Sequence, residues 1–254
     1  MTEHIQRTSG GGKSVSQATT SPLLLLMLAL YAADPELPPL GEDMATAELY
    51  RQLLGEFARR EAEKDLGLGH DPSPDELEQR VQDHLDRLAI AALGIFNRGR
   101  QDISGEDLGK DLEVLEPRLM ERSTHASAGQ RIIGQFFFVH APEARTLTGR
   151  QARSGQPQVT YEFLHATFGE YLVARRVMDE LVDIAVKAFS GRGGPAEPDN
   201  DMLFALLSHQ VLAARKSMLD FAQEIFADLR DDRVRSQVVE TLEGKHSGVC
   251  LSYR

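Results

Sequence analysis

Cysteine, tryptophan and long apolar runs are what this 254-residue chain is short of. Its single cysteine, Cys250, cannot form an internal disulfide, which excludes a stapled secreted scaffold and leads us to expect a reducing, cytoplasmic setting. There is no Trp and aromatics make up 6% of residues, so a Leu/Ala-built helical core is expected rather than a β-sandwich. Positive charge is scarce too: 28 Lys plus Arg stand against 39 Asp plus Glu, a formal charge of −11. That argues against whole-surface attraction to nucleic acid or anionic lipid and leaves only a local basic patch open. The one continuous apolar run, Leu23 to Ala33, has 11 residues, little more than half the ~20 that a membrane-crossing helix needs. A secretory signal is its rival reading, because Arg7 and Lys13 precede it. Yet Pro22 opens the run and Leu30 or Tyr31 fills the −3 position, where cleavage wants a small residue. A buried helix is the better account.

Catalytic motifs are missing as well. A phosphate-cradling P-loop needs G-x-x-x-x-G-K-[ST] after a buried strand. Gly10-Gly11-Gly12-Lys13-Ser14 supplies only its tail, with Arg7 where the first Gly belongs and no apolar strand ahead of it. No apolar strand ends in Asp-Asp or Asp-Glu to hold magnesium, and no parallel βαβ pattern occurs. His246 and Cys250 offer two metal-ligand types without a second pair, so no metal site is expected.

What is there is helical periodicity in a chain that is 41% hydrophobic. Residues 1–20 read as a disordered leader. A helix from Pro22 to about Ala33 follows, stopped by Asp34-Pro35 and Pro38-Pro39. Leu49, Tyr50, Leu53, Leu54 and Phe57 define a second helix over about 45–64. Ser73, Pro74 and Glu76 then form a capping box that opens a helix to about Asn97, closed by Arg98-Gly99-Arg100. Ser104 with Asp107 opens a shorter helix that Pro117 ends, and another short helix is expected over 127–134. Gln135–His140 and Gln158–Leu164 read as two strands joined by a long loop. Thr167 and Glu170 form a third box, opening a helix to about Phe189; Gly191–Pro195 breaks the chain, and helices are expected over 199–208, 213–229 and 233–242. The expected fold is therefore mostly α: a helical segment at 21–72, a winged-helix domain with a two-stranded β-hairpin at 73–190, and C-terminal helices at 191–254.

Two segments carry a family resemblance. Ser21-Pro22-Leu23-Leu24-Leu25-Leu26-Met27-Leu28-Ala29-Leu30-Tyr31 resembles the proline-led apolar helix that closes the small helical domain of NACHT-type STAND NTPases. Tyr161-Glu162-Phe163-Leu164-His165-Ala166-Thr167-Phe168-Gly169-Glu170-Tyr171-Leu172-Val173-Ala174 resembles the signature that ends their winged helix. The resemblance covers about residues 21–190. It implies part of a nucleotide-controlled switch in signal transduction, as in NLR-like immune and antiphage defence proteins, with ADP or ATP bound by the full-length family and no cofactor for this chain alone. It also implies a NACHT NTPase domain as partner, in cis or in trans. Pro22 matches the proline that packs near the adenine, and His165 the histidine that reaches the β-phosphate of ADP in the closed state.

Independently, His165 lies at an expected strand-to-helix junction, where free N–H groups favour an anion and an imidazole can add a donor. A core histidine satisfied by backbone is the bland reading. Without a P-loop the chain alone is not expected to be an enzyme. The alternative is a DNA-binding winged-helix regulator using Arg131 and the wing residues Arg145, Arg150 and Arg153 on the phosphate backbone. A third reading is a remnant that folds poorly because Leu23, Leu24, Leu26, Met27 and Leu30 lack a partner domain.

Overall fold

The computed structural model describes residues 22–35, 37, 39, 41, 44–67, 72–121, 139–140, 143–144, 158–189, 201–207 and 215–243. The expected leader, the helix at 127–134, the Gly191–Pro195 break, His246 and Cys250 lie outside them. The described helices are α1 (Pro22–Ala32), α2 (Thr46–Leu66), α3 (Pro74–Asn97), α4 (Gly105–Leu115), α5 (Pro117–Glu121), α6 (Ala166–Phe189), α7 (Asp201–Leu207), α8 (Lys216–Asp228) and α9 (Asp232–Leu242). Four short strands, β1 (Asp102–Ser104), β2 (Val139–His140), β3 (Glu143–Ala144) and β4 (Gln158–Phe163), are found among the described residues, and the structure is mostly helical with an antiparallel sheet. None of the described helices is long and apolar enough to cross a membrane.

Capping chemistry sets the frame. The Ser73 hydroxyl accepts the Glu76 N–H at 3.2 Å, with Pro74 at the first helical position of α3. Gly99, at φ 62°, turns the chain out of the helix, and the Arg98 guanidinium holds both the Gly94 carbonyl (3.1 Å) and Asp111 of α4 (2.7 and 2.9 Å). The Ser104 hydroxyl accepts the Asp107 N–H at 3.0 Å and so starts α4. Pro117 does more than end α4, because it also opens α5.

Every other strand pairs antiparallel with β4. Asp102, Ile103 and Ser104 face Glu162, Tyr161 and Thr160; Val139 and His140 face Phe163 and Glu162; Glu143 and Ala144 face Val159 and Gln158. The expected hairpin is thus present in its β2–β4 part, but the two-stranded reading is incomplete on two counts. β3 lies within the segment read as loop, and β1 was hidden inside the Ser104 cap. Gly94 explains how β1 fits: a Cβ there would come within 2.4 Å of Ile103 Cδ1, so the missing side chain lets the fully buried Ile103 settle on α3.

Helices α2, α3, α6 and α8 share one core with the sheet. Tyr50 of α2 is its hub, with ring centroids 5.4 Å from Phe168, 5.6 Å from Tyr171 and 5.1 Å from Phe221. A buried ionic junction ties α3, the α4–α5 joint and α6: Asp86 meets Arg118 at 2.7 Å and lies 3.9 and 3.8 Å from Arg175 and Arg176, while Glu116 binds both Arg118 (2.7 Å) and Arg176. Burial raises the Asp86 pKa above the usual carboxylate range despite the three guanidinium groups that oppose it.

The fully apolar face expected of α1 needs correction. Leu24 and Met27 are buried in the chain's own core, together with Tyr31, whose hydroxyl donates to Gln52 of α2 at 3.3 Å. The open face is instead Pro22, Leu25, Leu26, Ala29, Leu30 and Ala33, which fall at helical spacing on one side.

Candidate functional site

β4 ends at Phe163 and α6 begins at Ala166, so His165 stands at the corner between them. The expected Thr167/Glu170 capping box does not form. Thr167 lies one residue inside α6, and Glu170 is taken by α8 and its approach, accepting from Ser217 (2.6 Å) and Arg215 (3.3 Å). The cap is supplied by His165 itself: its backbone carbonyl accepts the Phe168 N–H at 3.2 Å and its ring Nδ1 accepts the Thr167 N–H at 3.4 Å.

The same Nδ1 lies 2.7 Å from the Thr167 hydroxyl, which lies 2.6 Å from the Tyr50 hydroxyl. A backbone N–H can only donate, so Nδ1 accepts. The Thr167 hydroxyl then donates to Nδ1 and accepts from Tyr50, which places the ring proton of neutral His165 on Nε2. Burial pushes the Tyr50 phenol pKa up and keeps that donor protonated, with the Thr167 hydrogen bond acting the other way. The ring of His165 is thus held from the core side while the residue is exposed.

A cavity of about 320 Å³ adjoins this corner, bordered by His165, Arg100, Arg215, Glu162 and Glu170 over an apolar floor that includes Phe96 and Phe163. Arg215 is 3.3 Å from Glu170 and lies over the Phe96 ring at 5.5 Å; Arg100 is 3.4 Å from Asp102. The cations around the cavity are therefore matched by carboxylates. With Nδ1 engaged as an acceptor, Nε2 is the ring donor of the His165 that borders this cavity. No protein-family model matches this chain, and no curated protein or solved structure matches it either.

Pro22 heads α1 and is exposed, as a helix-opening proline should be, but it does not border the cavity beside His165. Arg131, Arg145, Arg150 and Arg153 lie outside the described residues. Sequence reasoning missed Tyr50 and Thr167 as the pair that orients His165. The 117 residues between them leave no local signal. Among the described residues no group of three or more His, Cys, Asp or Glu side chains is arranged to hold a metal ion.

Proposed function

We propose that this chain is the regulatory and interaction portion of a NACHT-type signal-transduction NTPase, acting with a phosphate-binding domain that it does not itself contain. The observation that carries the reading is His165: an imidazole at a strand-to-helix corner, its Nδ1 engaged by Thr167 and its Nε2–H left to meet an anion. Three further features support it. The strand β1 sits between α3 and α4 and pairs with the strand that precedes α6, giving the order β1-β4-β2 that a winged helix requires. The outer face of α1 is apolar and open, as a helix closing against a neighbouring domain would be, with Leu25, Leu26 and Leu30 at 46, 50 and 41% exposure. The cavity near His165 has only its corner groups for a phosphate and no glycine-rich loop to cradle one, so the chain alone should neither bind nor hydrolyse nucleotide.

Isothermal titration of the full chain with ADP tests this. No measurable binding is expected, and low-micromolar affinity would remove the need for a separate cradle and overturn the proposal. Sequencing the DNA upstream of the coding region gives a second check, because an open or frameshifted G-x-x-x-x-G-K-[ST] segment should be found there. The DNA-binding alternative gains nothing from the described geometry, since its four arginines lie outside it.

A further inference from the structure

The hydrogen bonds that hold His165 run in one direction, and they do so only while its ring is neutral. Tyr50 of α2 donates to the Thr167 hydroxyl (2.6 Å), that hydroxyl donates to His165 Nδ1 (2.7 Å), and the Thr167 N–H reaches the same nitrogen at 3.4 Å. Nδ1 is thus the acceptor at which a two-hydroxyl chain from α2 and the first turn of α6 both end. Tyr50 is 4% exposed, and Thr167 is the hydrogen-bond partner of its hydroxyl among the described residues. His165 itself is exposed and open to protons from solvent. Beside it on the cavity stand Glu162 of β4, Glu170 of α6, Arg100 of the α3–β1 turn and Arg215 ahead of α8. Arg215 is paired with Glu170 and Arg100 with Asp102, while Glu162 adds a further carboxylate. Charges of both signs therefore flank the imidazole, and the directional bonds at Nδ1 are what set its two protonation states apart.

A proton added at Nδ1 reverses the chain, because an imidazolium donates from both nitrogens and accepts at neither. The Thr167 N–H loses its acceptor and meets another N–H. The Thr167 hydroxyl must turn to accept from Nδ1–H and donate to Tyr50, so the Tyr50 O–H must swing away from Thr167. One proton thus removes the side-chain cap at the start of α6 and inverts the tie between α6 and α2. From this geometry we infer that His165, Thr167 and Tyr50 form a proton-sensitive latch between these two helices, closed by the neutral ring and loosened by the protonated one. Histidine suits the task, since imidazoles as a class change charge between about pH 5 and 8. The latch acts through Nδ1 and is independent of what meets Nε2. The fold bonds the neutral ring and the unfolded chain does not, so acid weakens the folded state and neutral pH restores it.

Thermal unfolding of the full chain from about pH 7.5 down to about pH 5.5, compared with His165→Asn, tests this. Asn is a good helix cap whose side-chain oxygen accepts a hydrogen bond and takes up no proton in that range. The other histidines and the carboxylates are common to both proteins and drop out of the difference. On acidification the wild type is expected to lose about 2–4 °C more than His165→Asn, the effect of one hydrogen bond in a chain of this length. The same comparison made in a Thr167→Val background should keep less than about half of that extra loss, because the hydroxyl chain is gone. A second measurement needs no variant: in wild-type NMR spectra the Thr167 amide and the Tyr50 ring should shift along the same pH curve as the His165 ring. Parallel melting profiles for the wild type and His165→Asn overturn the inference. So does a His165 ring that takes up its proton while the Thr167 and Tyr50 signals stay fixed.

Discussion

Helices α1 and α3 invert the usual relation between composition and burial. α1 contains no charged residue, yet leaves Leu25, Leu26 and Leu30 open; α3 is rich in charge and buries Asp83, His84, Asp86 and Arg87. The difference lies in the number of neighbours. Among the described residues α1 packs chiefly against α2, whereas α3 is flanked by α2, α4 and α6, so even its polar positions are covered. Apolar sequence therefore marks where a helix could be buried, and the surrounding elements decide which residues are. In α3 the buried polar groups have partners: Gln79 of the same helix for Asp83, Asp65 of α2 for His84, Arg118 for Asp86 and the Leu119 carbonyl for Arg87.

The comparison is broken most severely at Asp86. Asp86→Ala removes the carboxylate that faces Arg118, Arg175 and Arg176 and leaves buried guanidinium groups under-paired. It should cost about 3 kcal/mol in urea denaturation. Asp86→Asn preserves shape and isolates the charge. Because burial raises the folded-state pKa of Asp86, the folded protein holds that proton to higher pH than the unfolded chain. Wild-type stability relative to Asp86→Asn should consequently fall as pH rises from about 4, the unfolded carboxylate value, and level off above the raised folded value. A difference curve that climbs instead would mean that the three arginines outweigh the cost of burial.

Within α1 the contrast can be drawn between adjacent residues. Met27 is fully buried and Leu26 is half exposed. Met27→Ala should lose about 2–3 kcal/mol of unfolding free energy, while Leu26→Ala should stay within about 0.5 kcal/mol and reduce any concentration-dependent association in sedimentation. Equal losses would mean that both sides of α1 are packed.

How much of this was legible in the sequence follows the same division between local and non-local causes. Ser73 and Ser104 announce their helices because a hydroxyl acts on an N–H three residues away. Periodicity places α2, α6, α8 and α9 within a few residues of their observed bounds. β1 is three residues long and pairs with residues 160–162, so Asp102-Ile103-Ser104 offers neither alternation nor a nearby partner. The Thr167/Glu170 pattern misleads for a related reason: its side chains are claimed by α2 and α8 before they can act locally. His165 was found by its motif, but the hydroxyl pair behind it was not.

The smallest expected effect gives the sharpest view of that corner. Thr167→Val keeps the β-branched shape on α6 but deletes the hydroxyl between Tyr50 and His165. Tyr50 is buried and would be left without its acceptor, so a loss of about 1 kcal/mol is expected. The informative readout is the imidazole. In the wild type, nitrogen NMR should find neutral His165 protonated on Nε2, because Nδ1 is occupied as an acceptor. In Thr167→Val only the long N–H contact at 3.4 Å is left, and the two tautomers should move toward a mixture. Tyr50→Phe should shift the ring signals less, since the Thr167 hydroxyl can still donate to Nδ1. If Thr167→Val leaves the tautomer unchanged, the helix end alone orients His165, and α2 has no part in setting the donor that it presents.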